Sequence, residues 1–143
     1  MDIQTIRDAL TALVAGLRPA APMIKTDSRK PVVRPSFRID VYPVAGGAAC
    51  RDAREREVEV DIWYYPQDTD HPRDECDALA DDLLAALDDG FEAGGVWISL
   101  DENAECDMTQ DALVVQFAAD WVESAAEEGE YMETLEINQK EAE

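Results

Sequence analysis

His71 is the only histidine in the chain, and Asp68, Asp70, Asp74 and Glu75 crowd around it. Imidazole and carboxylates at this density raise the question of a metal site. An EF-hand loop needs a glycine at its sharp turn and a closing glutamate, and a zinc site needs more nitrogen or sulfur than one histidine supplies. The pattern fits a helix start better, because carboxylates favour the positive end of a helix dipole and Pro72 suits a first turn. Cys76 follows closely, but a thiol nucleophile needs a base within reach. It falls on an apolar stripe instead and reads as a core cysteine. Carboxylate pairs for acid–base catalysis carry no signal in a chain with 33 acids, where any pairing arises by chance. Gly46-Gly47 and Gly94-Gly95 are turn material and build no phosphate-binding loop. No catalytic residue, cofactor-binding residue or metal ligand is expected.

The elements that would carry these residues follow from periodicity. Residues 2–17 read as a helix, with Ile3, Ile6, Leu10, Leu13, Val14 and Leu17 in one stripe. Asp2 suits its start, and Gly16 and Pro19 its end. Residues 23–26 form a short strand, and 27–34 a polar, basic loop or arm. From Arg34 to Val44, Phe37, Ile39 and Val41 alternate with Arg38, Asp40 and Tyr42, the period of a strand. Residues 45–53 are expected as a flexible glycine loop leading to an antiparallel partner. That partner, Glu55 to Tyr65, is the clearest strand. Val58, Val60, Ile62 and Tyr64 face one way, and Glu57, Glu59, Asp61 and Trp63 the other. Such alternation belongs to a sheet with one covered and one wet face. An outward tryptophan such as Trp63 is often an interface anchor, and Tyr65 and Trp97 invite the same attention.

Pro72 to Leu87 reads as the second helix, with Asp70 or His71 as its N-cap. It buries Cys76, Leu79, Ala80, Leu83, Leu84 and Leu87. Strands follow at 96–100, weakly at 104–108, and strongly at 113–122. A loop at 124–130, a final strand at 131–137 and a loose tail complete the pattern. The order gives an α+β fold, an antiparallel sheet with an N-terminal helix and a central helix packed on one face. Residues 1–137 are expected as one domain, with 138–143 a flexible acidic tail.

The chain has 143 residues, 46% of them hydrophobic, enough for a core without disulfides or a structural metal. Its formal charge of −21 argues against binding nucleic acid through phosphates or docking on anionic membranes. The charge is polarised. Residues 25–56 hold eight bases against four acids, whereas 57–143 hold two bases against 27 acids. A subunit divided in this way can attract copies of itself head to tail, and such contacts close into rings when the rotation allows. Three cysteines with no CxxC pair, no apolar leader and no membrane-length apolar run point to a cytosolic product with reduced thiols.

An ordered set of segments resembles the phage and prophage tail terminator family. It comprises Arg34-Pro35-Ser36-Phe37 with its strand to Pro43, then 58–66 ending Trp63-Tyr64-Tyr65-Pro66. The helix around Glu75, Ala78, Leu79 and Leu83 follows, then Ala112-Leu113-Val114-Val115-Gln116-Phe117, and finally Tyr131 to Ile137. Residues 104–110 and the extreme acidity depart from the family pattern. The resemblance implies a virion protein without catalytic activity or cofactor, assembled in the host cytoplasm. It implies a hexameric ring at the head-proximal end of the tail tube, halting tube polymerisation and presenting a docking surface to the head–tail connector protein. The tail tube protein and neighbouring copies would be its partners, and genomic DNA would pass through the lumen without specific binding. With the basic stretch and the outward aromatic residues, the expected subunit or tube interface holds Arg29, Lys30, Arg34, Arg51, Arg54, Arg56, Trp63, Tyr65, Tyr131 and Leu135. Competing readings are a head–tail joining or tail completion protein of another type, an acidic DNA mimic that inhibits a nucleic-acid enzyme, and, last, a small carboxylate enzyme. The net charge fits a DNA mimic, but the basic stretch does not.

Overall fold

The computed structural model describes residues 2–24, 32–109 and 111–124. Its elements in chain order are α1 (Ile3–Leu17), β1 (Met23–Ile24), β2 (Ser36–Cys50), β3 (Ala53–Tyr65), α2 (Pro72–Leu87), β4 (Phe91–Ala93), β5 (Val96–Leu100), β6 (Glu105–Met108) and β7 (Leu113–Ser124). Helix α1 starts where its cap is strongest, since the Asp2 carboxylate accepts the Thr5 N–H at 2.8 Å. Helix α2 starts on Pro72, whose missing N–H costs nothing in a first turn.

The sheet runs β1-β2-β3-β7-β5-β4, with β6 also bonded to β7. Strand β3 lies at its centre, bonded to β2 on one side and to β7 on the other along nearly its whole length. The apolar positions stay in register across the three strands. Ile39 faces Ile62 and Val41 faces Val60, and these face Val115 and Phe117 in turn. Both helices pack on that face. Ile6, Leu10 and Val14 of α1 and Cys76, Leu79, Leu83 and Leu87 of α2 are buried against it. Phe37 packs on Tyr64 with ring centroids 4.9 Å apart, and Phe91 meets Phe117 edge-on at 6.2 Å. An ion pair of 2.9 Å between Arg18 and Asp82 ties the end of α1 to α2. The result is a curled α+β sheet with two helices on one face.

Two expectations change in detail, one short strand is new, and one weak expectation holds. Strand β1 lies parallel to β2, so the sheet is mixed. Residues 45–50, expected in a glycine loop, continue β2, and a tight turn at Arg51-Asp52 leads into β3. The reason is tertiary. β3 is held by β7 as well, so it templates a partner whose Gly and Ala residues have little strand preference of their own. Neither Gly46 nor Gly47 has a positive φ, so glycine's turn-making freedom is not used there. Strand β4, three residues long, is too short to show a period. Residues 105–108 form a true strand despite their weak pattern, because β7 supplies the pairing. Arg29, Lys30, Tyr131, Leu135 and the strand expected at 131–137 lie outside the described residues.

Candidate functional site

The acidic segment before α2 is a clasp. Asp68 Oδ1 accepts the N–H groups of Asp70 at 3.0 Å and His71 at 2.9 Å. Glu75 accepts the Tyr64 hydroxyl at 2.5 Å, the Gln67 N–H at 2.8 Å and the Asp68 N–H at 3.3 Å. Burial pushes the Glu75 carboxyl up, but these donors outweigh it and hold it below the ordinary carboxylate range. The same contact, added to burial, raises the Tyr64 phenol. His71 takes the cap position of α2 without a side-chain cap bond. Cys76 is fully buried, which pushes its thiol up to about 11. Among the described residues, no three His, Cys, Asp or Glu side chains gather to hold a metal. The carboxylates fix the turn between β3 and α2.

The arginines and aromatic residues that could form an interface are spread along the β2–β3 hairpin. At its base, Arg34 donates to the carbonyls of Pro66 at 3.1 Å and Asp111 at 3.2 Å, and to Asp111 Oδ2 at 3.2 Å. Its guanidinium also lies 5.9 Å from the Tyr65 ring centroid. Two residues in, Trp63 sits half-buried on the sheet face away from the helices, with the Arg38 guanidinium 5.2 Å from its ring. Arg56 and Arg54 point to the helix side, and exposed Arg51 occupies the turn at the far end. At about 3.3 Å per strand residue, Arg54 and Trp63 are roughly 30 Å apart. The structure therefore joins Arg34 with Tyr65 but not the described candidates into one patch.

Two further groupings were not singled out by sequence. Arg38 lies 3.4 Å from Asp40 on the face away from the helices, where Asp40 is buried. Asp40 Oδ1 and Trp63 Nε1 are buried there without a hydrogen-bond partner. Trp121, expected only as a strand residue, donates to Glu123 at 2.9 Å beneath the Arg56 guanidinium, 5.7 Å from its ring. Burial raises the Glu123 carboxyl, but the Trp121 bond and Arg56 help bring it below its ordinary value. Trp97, to which the sequence already drew attention, is 55% exposed, and its indole N–H donates to the Asp89 carbonyl at 3.0 Å. Trp97 and the Trp63 face showed outward character in the strand alternation. The Trp121–Glu123–Arg56 group spans two strands and left no local signal.

The sheet face away from the helices is mostly acidic. Glu57, Glu59 and Asp61 of β3 share a cleft of about 430 Å³ with Asp101, Glu102 and Glu105, which belong to β6 and the segment between β5 and β6. Farther along, at the small residues Ala45 to Ala48, no described strand covers the outer edge of β2. A second cleft of about 340 Å³ opens beside them, walled by Glu55, Arg56, Glu57 and Asp120. The arrangement can repel polyanions on the acidic face and admit another polypeptide along the bare strand. Among the described residues, these two clefts bring no histidine or cysteine together with the carboxylates.

A family model described as phage tail terminator protein matches residues 3–130 of this chain. No curated protein matches. One solved protein chain aligns at 15% identity with a TM-score of 0.47, covering 87% of this chain and 96% of that one.

Proposed function

The chain belongs to the phage tail terminator family, a family of structural tail proteins, and from that premise we propose that it forms a ring, hexameric in number, that caps the tail tube. In this reading the ring stops tube polymerisation at the head-proximal end and offers its outer surface to the head–tail connector protein. The chain acts without catalysis or cofactor. The observation that carries the assembly half of the reading is the charge polarity, 27 acids against two bases after residue 56 beside a basic stretch before it. Copies with this polarity attract one another head to tail. The acidic sheet face suits a lumen, where carboxylates keep DNA phosphates from sticking as the genome passes. The exposed Arg51 and Arg54 and the half-buried Trp63 and Tyr65 serve the subunit and tube contacts.

Two measurements test this. Light scattering across protein concentration and two salt levels is expected to read a hexamer, or a salt-sensitive climb toward one. Purified tube protein polymerising in the presence of the chain is expected to give short tubes with one added density at an end, seen by electron microscopy. Tubes of unchanged length with bare ends, together with a strict monomer in scattering, refute the reading. Capture of a DNA-handling enzyme that DNA competes away would favour the DNA-mimic alternative.

A further inference from the structure

We infer that copies of this chain join edge to edge, the bare part of β2 in one copy pairing with β6 of the next, an inference that rests on the ring reading above.

The β2 edge is unusual. β1 covers it only beside Phe37 and Arg38, and from Val41 onward no described strand lies alongside it. Residues 41–50 contain no charged side chain, in a chain where 31% of residues are charged. Tyr42 through Ala48 are all exposed. Free edges of monomeric sheets are usually guarded by charge, above all by lysine, because bare N–H and C=O groups invite another strand. Irregularities after Pro43 and after Ala48 break this edge and leave Ala45–Ala48 as a regular run. Its small side chains let a second backbone approach closely.

The complementary edge lies across the same sheet. β6 is bonded to β7 on one side and has no described strand on the other. It is also four residues long, and Glu105, Cys106 and Asp107 are exposed. Two β6 edges would bring like charges together, so this edge favours an uncharged partner over its own copy. Direction agrees as well. β2 and β7 run one way, and β3 and β6 run the other. In a ring whose members share one orientation, β2 of one copy therefore meets β6 of the next antiparallel, and neither has to turn over. The two free runs lie at different heights on the sheet. β6 pairs with residues 113–116 of β7, whereas the bare run sits nearer the end that holds residues 120–123. Closed sheets tilt and stagger their strands, which supplies such an offset.

Side-chain direction makes the inference testable. Cys106 faces the helix side, because it pairs with the core residue Val115. Gly46 and Ala48 share that side, opposite Arg56 and Arg54, whereas Ala45 points the other way beside Glu57. A Cβ at Gly46 would meet only ordinary contacts, Arg56 Cδ at 3.5 Å being the nearest. The experiment uses the full chain carrying Cys50→Ser, with Ala48→Cys, Gly46→Cys or Ala45→Cys added singly. Each variant is oxidised with diamide at a concentration where scattering reads multimers, or on tail tubes. The expected result is a ladder of disulfide-linked multimers on a non-reducing gel for Ala48→Cys or Gly46→Cys. Cys106→Ser should abolish the ladder, and Ala45→Cys should not give one. A dimer band that survives Cys106→Ser would mean β2 pairs with β2 and would overturn the inference. Multimers in scattering with no cross-link from either variant would overturn it too, leaving the ring reading intact. A chain that stays monomeric alone and on tubes, without cross-links, overturns both.

Discussion

At the residue scale, the densest chemistry in the sequence turned out to hold a turn. Glu75 keeps three donors satisfied, one of them the buried Tyr64 hydroxyl. A glutamine there accepts more weakly and clashes donor to donor, so Glu75→Gln should cost roughly 1–3 kcal/mol at neutral pH. The sign with pH follows from the depressed carboxyl of Glu75. A carboxylate whose folded value lies below its unfolded value stabilises above the ordinary carboxylate range, near pH 4. That stabilisation is lost as the pH falls through the folded value. Urea melts from pH 7 down to pH 2 should therefore show a shallower acid decline for Glu75→Gln than for the parent. Parallel declines would mean that the clasp contributes nothing. The helix-start reading of Asp74 and Glu75 needed only the sequence. The clasp itself did not show, because its phenol comes from the preceding strand and its amides from the turn. Arg34 was out of reach for the same reason. Its partner Asp111 is 77 positions away, and charge alone could not tell a structural arginine from an interface one.

At the element scale, periodicity sufficed wherever an element was long and half-buried. The helices, the Glu55–Tyr65 strand and the 113–122 strand all alternate strongly, and the structure keeps them with ends shifted by a few residues. It failed where pairing, not side chains, decides the conformation. The Ala-Gly run of β2 lies extended only because β3 is beside it, and β4 is three residues that exist as the partner of β5. The link from α2 to β4 shows how tightly that small hairpin is set. Gly90 has a φ of +102°, and a Cβ there would stand 2.2 Å from the Ile98 carbonyl oxygen. Gly95, in the hairpin turn, has a φ of +79° but open space around it. Gly90→Ala should thus lose about 3 kcal/mol or more, the strain of the backbone plus a displaced strand. Gly95→Ala should lose only about 1–2 kcal/mol. Denaturant midpoints of the two variants check this, and equal losses would mean that β5 moves aside freely.

At the scale of the whole molecule, the charge polarity could be read from composition, but not its distribution over two sheet faces and two edges. That distribution depends on which strands become neighbours, and β3 joins segments that are far apart in the chain. Because β3 is bonded on both sides, each of its amides reaches a carbonyl of either β2 or β7. In β2, only every second amide beyond Val41 faces β3. Exposure to deuterated water should therefore write two different rhythms. Label should enter β3 uniformly and last, at the rate of global opening. In β2 it should enter alternate positions early, and a copy docked on that edge would silence the fast beat.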